Sequence, residues 1–179
     1  LKVKVEDTYS RAADGGTGFA KCGGNYGGAF YPTQLAREAG YDQVIWTDSK
    51  THELIEESGT MNLMFVINGT LVTPPLSGTI LDGITRDSLL AIAKDKGLKM
   101  EVRPVNVNEL KQALEAGQKV EAFGAGTAAV IAPIETIAID GKEYTCYIAE
   151  DAMMYQLQKE LYDIRHGNAV DNHHWNYII

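Results

Sequence analysis

Apolar and polar residues alternate along this chain mostly in short stretches, so strands dominate the predicted elements. Lys2-Val3-Lys4-Val5 switches character at every residue, the period of a half-buried strand. Gln43–Thr47 carries Val44, Ile45 and Trp46 in a row and reads as a short buried strand, closed by the turn signal Asp48-Ser49-Lys50. Leu54–Glu57 predicts another. Asn62–Ile67 and Thr70–Thr73 flank Asn68-Gly69, a dipeptide that accepts φ > 0 at both central positions of a two-residue hairpin. Thr136–Ile139 and Glu143–Tyr147 flank Asp140-Gly141 in the same way. Met100–Val105 alternates as a strand, and Val120–Phe123 and Ala128–Ala132 are apolar runs around Gly124-Ala125-Gly126-Thr127.

Four segments carry a helical period. Residues 27–39 place Leu35, Ala36 and Ala39 together before Gly40, although Pro32 inside the stretch opposes a regular helix. Thr85–Lys96 has Thr85 as its expected cap, Asp87 in the first turn, an apolar face of Leu89, Leu90, Ile92 and Ala93, and Gly97 as its stop. Asn108 is expected to cap a short helix bearing Leu110, Ala113 and Leu114, stopped by Gly117. Glu150–Arg165 repeats Met153, Leu157 and Leu161 and ends at Gly167. Many strands, two hairpins and four helices make a mixed α/β (α+β) domain with one core, and no repeat or linker marks an internal boundary.

Composition narrows the classes. A chain of 179 residues buries a core without disulfide or metal staples, and 45% hydrophobic with 22% charged residues is a globular balance. A net charge of −8 argues against nucleic acid and anionic membrane as partners. No apolar run approaches the ~18 residues of a membrane span, and no basic-then-apolar leader stands near Leu1. Cys22 and Cys146 make neither a disulfide framework nor a four-ligand zinc site, and His52, His166, His173 and His174 lack ligand spacing, so no metal is expected and a reducing, cytoplasmic setting fits. His173-His174 reads as an exposed polar stretch. The first residue is Leu1, not Met, which suggests a processed start or a piece of a longer protein.

The glycine excess is local: of 18 glycines, seven fall by position 28 (Gly15, Gly16, Gly18, Gly23, Gly24, Gly27 and Gly28), and Lys21 sits among them. Such a lysine is either a Schiff-base nucleophile approached closely by a ligand or a surface lysine in a loose loop. The phosphate-loop pattern GxxxxGK[ST] is absent. Gly83-Ile84-Thr85-Arg86 opens a helix and is an anion site in waiting or an ordinary turn, as is Gly124–Ala128 between two strands. Glu56 and Glu57, adjacent on a strand, are expected on opposite faces, one inward with a partner or both solvated. Cys22, beside Lys21, is either a reactive thiol or a packing residue, and the Tyr9, Tyr26 and Tyr31 hydroxyls read as core edges.

In order along the chain, these segments resemble the branched-chain amino-acid aminotransferases, a class IV pyridoxal-phosphate-dependent group. Gly15–Tyr26 (GGTGFAKCGGNY) is similar to their lysine motif and Glu57–Asn62 (ESGTMN) to their glutamate motif. Thr73–Leu76 (TPPL), Leu81–Arg86 (LDGITR) and Phe123–Ala128 (FGAGTA) follow in the family's order. The resemblance implies a strand-rich pseudo-barrel with surrounding helices. It implies a pyridoxal 5′-phosphate cofactor with Lys21 as its Schiff-base residue and proton shuttle. Tyr26 would bond the phenolic oxygen, Glu57 the pyridine nitrogen, and Leu81 would pack on the ring. Ile84 and Thr85, with Thr127, would hold the phosphate, and Thr60, Thr127 and Ala128 the substrate carboxylate. The implied reaction passes an amino group from leucine, isoleucine or valine to 2-oxoglutarate, in a homodimer. Residues 1–179 would be the C-terminal cofactor-binding domain. The family's smaller N-terminal domain, which supplies a phosphate arginine and part of the substrate pocket, has no counterpart here, so this chain alone is expected to be inactive. Alternatives are a non-catalytic assembly domain and a relative such as a D-amino-acid aminotransferase. Met64 departs from the family's usual aromatic, and no Cys-x-x-Cys follows Thr127-Ala128.

Overall fold

The computed structural model describes residues 1–177. Its strands are β1 (Lys2–Val5), β2 (Gln43–Thr47), β3 (Ile55–Ser58), β4 (Met61–Ile67), β5 (Thr70–Thr73), β6 (Met100–Val102), β7 (Val120–Gly126), β8 (Val130–Pro133), β9 (Thr136–Ile139) and β10 (Lys142–Thr145). Its helices are α1 (Gly23–Glu38), α2 (Ile84–Asp95), α3 (Val107–Glu115) and α4 (Met153–Arg165).

The strands form one sheet in the order β10-β9-β1-β2-β3-β4-β5-β6, and β4 also pairs with β7, which carries β8. One apolar cluster joins Val3 of β1, Ile45 of β2, Leu63 and Phe65 of β4, Val72 of β5, Val120 of β7, Ile137 of β9 and Tyr144 of β10. Strands from both ends of the path meet in that cluster, so the sheet must curl into a half-barrel around it. Leu110 and Ala113 of α3 close it from one side. The alternate β4 residues Met64 and Val66 face outward and are covered by α2 and α4 through Leu89, Ile92, Leu157 and Leu161. Both faces of β4 are thus dry, which is why its sequence runs apolar without alternation. A third cluster, Ala36, Val44 and Trp46, seats α1 on β2.

Both predicted hairpins are present, with Asn68 and Gly69 at φ 49° and 79° and Asp140 and Gly141 at 52° and 75°. Several expectations need correction. Helix α1 starts at Gly23, four residues before the expected 27, and runs through the buried Pro32. Gly83, not Thr85, caps α2, and Asn106, not Asn108, caps α3, its side chain accepting from the Asn108 N–H at 2.8 Å. The buried stripe of α4 is Met154, Leu157, Leu161 and Ile164, with Met153 to one side. Gly124 and Gly126 lie inside β7, where a Cβ would strike the Met61 side chain, so they accommodate a neighbour and form no anion nest. Pro104 ends β6 early, while Val105 is fully buried. Tyr9 and Tyr31 are 37% and 59% exposed and meet edge to face, so neither belongs to the core.

Candidate active site

Several of the residues singled out above meet at one end of the sheet. Glu57 on β3 stands opposite Asn62 on β4, and Asn62 opposite Ala125 on β7. The turns just beyond, Gly59-Thr60 after β3 and residues 127–129 after β7, therefore lie at the same end, with Thr60, Thr127 and Ala128 exposed.

Glu57 is the chemical centre and is 2% exposed. Its Oε1 accepts the Leu81 N–H at 2.7 Å and the Asn62 amide at 3.4 Å. Its Oε2 lies 2.9 Å from Nε of Arg11, an ion pair in which the Nε–H is not aimed at the oxygen. The Arg11 guanidinium donates instead through Nη2 to the carbonyls of Gly18, at 3.0 Å, and Thr79. Burial pushes the Glu57 carboxyl up to about 7, while Arg11, the Leu81 N–H and the charge of Lys21 pull it down. Lys21 is thus within electrostatic reach of Glu57.

The two acids do not take opposite faces. The pairing register shifts between Trp46 and Thr47, opposite Glu56, and this irregularity leaves both carboxyls buried against the same 79–81 loop. Glu56 Oε1 accepts from the Thr79 hydroxyl, and its Oε2 has no partner. Burial raises its carboxyl above the usual range, against the Thr79 bond and Arg11. The picture of two solvated strand-end acids is therefore wrong.

The glycine-rich segment is ordered. Asn25, in the first turn of α1, donates to the Thr17 and Ala20 carbonyls at 2.8 and 2.7 Å and accepts from the Thr17 hydroxyl at 2.9 Å. These bonds tie the loop to the helix and fix the approach of Lys21, which is itself exposed. A Cβ on Gly18 would sit 2.6 Å from the Thr79 Cα, so this glycine lets the two loops touch. Cys22 caps α1, and the Thr17 hydroxyl, with the N–H groups of Asn25 and Gly24, pulls its thiol below the usual range. Tyr26, half-buried, shares a cavity of about 390 Å³ with Thr60, Phe30, Arg37 and Gln43.

Asn62 connects the acid to the start of α2. Its amide also donates to the Leu81 carbonyl at 2.8 Å, and its Oδ1 lies where a Cβ on Gly83 would be, 1.9 Å away. Gly83 caps α2 without any side-chain acceptor, so the first-turn N–H groups, those of Ile84 and Thr85 among them, are free for an anion. Ile84 is 80% exposed there. A lysine in the field of a buried acid, and an uncapped helix start joined to that acid through Asn62, are a donor set suited to a phosphorylated ring with a basic nitrogen. Arg11, the loop-anchoring role of Asn25, the burial of both Glu56 and Glu57 together and the bridging role of Asn62 were missed from sequence. The one available signal was that a buried Glu57 requires a cation. Among the described residues no group of three His, Cys, Asp or Glu is placed to hold a metal ion, and no helix is long and apolar enough to cross a membrane.

The family model for amino-transferase class IV matches residues 18–137. The chain belongs to the class IV aminotransferases. Within them it is similar to branched-chain enzymes. It is 41% identical over 179 residues to a probable branched-chain-amino-acid aminotransferase of Staphylococcus aureus, covering 99% of this chain and 50% of the relative. It is 40% identical to branched-chain-amino-acid transaminase 1 of Bacillus subtilis, covering 98% and 49%. The Escherichia coli branched-chain amino acid aminotransferase structure superposes with a TM-score of 0.80 at 29% identity, covering 97% of this chain and 54% of that one. The PLP-form of the Thermobaculum terrenum enzyme superposes with a TM-score of 0.80 at 26% identity, covering 94% and 52%. The chain spans about half the length of the curated relatives it matches.

Proposed function

We propose that this chain is the cofactor-bearing part of a pyridoxal-phosphate-dependent transaminase acting on leucine, isoleucine and valine with 2-oxoglutarate. The observation that carries the reading is the buried Glu57 carboxyl, raised to about 7, with Lys21 in its field and the uncapped start of α2 joined to it through Asn62 and Gly83. Bound pyridoxal phosphate supplies an electron sink for the carbanion at the substrate α-carbon.

The chain's own residues do the rest. Lys21 Nζ is the covalent attachment point and carries the proton to and from the α-carbon. Glu57 bonds the ring nitrogen and favours its protonated form. Its carboxylate is aimed by Leu81, Asn62 and Arg11, so that no side chain has to reorganise as charge develops. Tyr26 bonds the phenolic oxygen, and Leu81 packs on the ring face. Ile84, Thr85 and Thr127 hold the phosphate, and Thr60, Thr127 and Ala128 take the substrate carboxylate. In the whole enzyme a smaller domain and a second copy close the pocket against water, so this chain alone turns over near zero.

Pyridoxal phosphate followed by borohydride should label Lys21, read by peptide mass spectrometry, and Lys21→Ala should abolish labelling. Labelling spread over surface lysines, or none, sinks the assignment and leaves a non-catalytic assembly domain as the better reading. Preference for D-amino acids in the whole enzyme points instead to a different class IV activity.

A further inference from the structure

Arg86 is the third residue of α2 and only 5% exposed. Its Nη2 donates to the Pro74 carbonyl at 2.9 Å and its Nε to the Thr73 hydroxyl at 3.4 Å. Both acceptors are neutral, and among the described residues no carboxylate forms an ion pair with it. Buried charges are ordinarily paired, because leaving water is costly for an ion. Burial accordingly draws the guanidinium's proton affinity down, opposed by the charges of Asp82 and Asp87. Those two acids are exposed and flank the helix start in sequence, so their charges oppose an anion there. With a net charge of −8 overall, nothing in the long-range field favours an anion there.

Arg86 is well placed to counter them. A rise of about 1.5 Å per residue sets its Cα about 3 Å along the axis from Ile84. The side chain is 5% exposed, so water and salt screen its charge less than that of a surface arginine. Its donors to Pro74 and Thr73 engage groups outside α2, so the hydrogen bonds of Arg86 leave the first-turn N–H groups unused.

We propose that Arg86 is a positioning residue whose buried charge offsets Asp82 and Asp87, letting the N–H groups of Ile84 and Thr85 hold a phosphoryl dianion. The inference rests on the reading of the α2 start as the phosphate site. Its chemistry predicts discrimination between a phosphorylated ligand and the same ligand without phosphate.

The test compares pyridoxal phosphate with pyridoxal, which has the same ring without the phosphate and whose aldehyde is largely closed as a hemiacetal, so each ligand is compared with itself across variants, by absorbance titration of this chain. The unsubstituted chain should prefer pyridoxal phosphate. Arg86→Met should weaken pyridoxal phosphate about tenfold, a change of about 1.4 kcal/mol, with pyridoxal unchanged, and Arg86→Lys should restore most of the loss. Asp82→Asn, a surface change that does not threaten folding, should tighten pyridoxal phosphate about threefold and leave pyridoxal alone. Equal losses for both ligands in Arg86→Met, or no response to Asp82→Asn, would overturn the proposal and leave Arg86 as a clasp between α2 and Pro74. If the unsubstituted chain does not distinguish the two ligands, the phosphate-site reading itself fails. Should Arg86→Met not fold, the Asp82→Asn and Arg86→Lys arms decide.

Discussion

At the residue scale, the site depends on charges held out of water. The Glu57 carboxyl titrates near 7 in the folded chain, above its ordinary 4.5. Between those values the native state binds more protons than the unfolded chain. The contribution of Glu57 to stability is therefore fully present below about pH 4.5 and lost as pH rises through about 7. Glu56, also raised, adds in the same direction. The melting temperature of the ligand-free chain should fall between about pH 5 and pH 8, and the fall should be smaller in Glu57→Gln. An equal fall in that variant places the titration elsewhere. Gly83 illustrates a steric requirement. Its Cβ would occupy the space of Asn62 Oδ1, 1.9 Å away, and Asn62 is held by Leu81 and Glu57. Gly83→Ala should cost about 1–3 kcal/mol by overpacking and loosen cofactor binding with it, measured by denaturation and by titration. From sequence, Lys21 and Glu57 stood out by residue type within their motifs. Arg11 was not, because one of 16 cationic side chains carries no mark of which acid it will meet.

At the element scale, local chemistry fixed some pieces and tertiary contacts others. The Asn68-Gly69 hairpin was readable because only certain residues tolerate φ of 49° and 79° in succession. Gly69→Ala should destabilise by about 1–2 kcal/mol for its left-handed backbone, seen as a lower urea midpoint. The start of α4 was misjudged because its cap is remote in sequence. Glu121 of β7, 2% exposed, accepts the Met153 and Met154 N–H groups at 2.9 and 3.0 Å, one on each oxygen. Ala152 before them offers no side-chain cap. Glu121→Ala should cost about 2 kcal/mol and fray α4, with Glu121→Gln intermediate. Urea denaturation with hydrogen exchange of Met153 and Met154 would measure both, and unchanged protection would show that the cap is dispensable. The α1 start was misplaced for the same kind of reason. Gly23, Gly24, Gly27 and Gly28 have poor helix propensity, yet Asn25 anchors that turn to the lysine loop.

At the scale of the whole molecule, the curl of the sheet makes the site. Strands β3 and β4 follow one another directly, but β7 is remote in sequence, and only its antiparallel register with β4 brings the 127–129 turn to the end that holds Glu57 and Asn62. The sequence by itself determined the element types, the two hairpins, the family motifs and the negative charge that forces any anion to rely on local donors. These follow from near-neighbour physics: hydrophobic period, turn stereochemistry and composition. Tertiary structure alone decided which acid is buried, which cation meets it and which glycines are needed for close approach. It also turned the pair Glu56-Glu57 from an expected inside–outside alternation into two buried carboxyls around Arg11. Burial and pairing are properties of segments brought together across the fold, and no local pattern encodes the partner a buried charge will find.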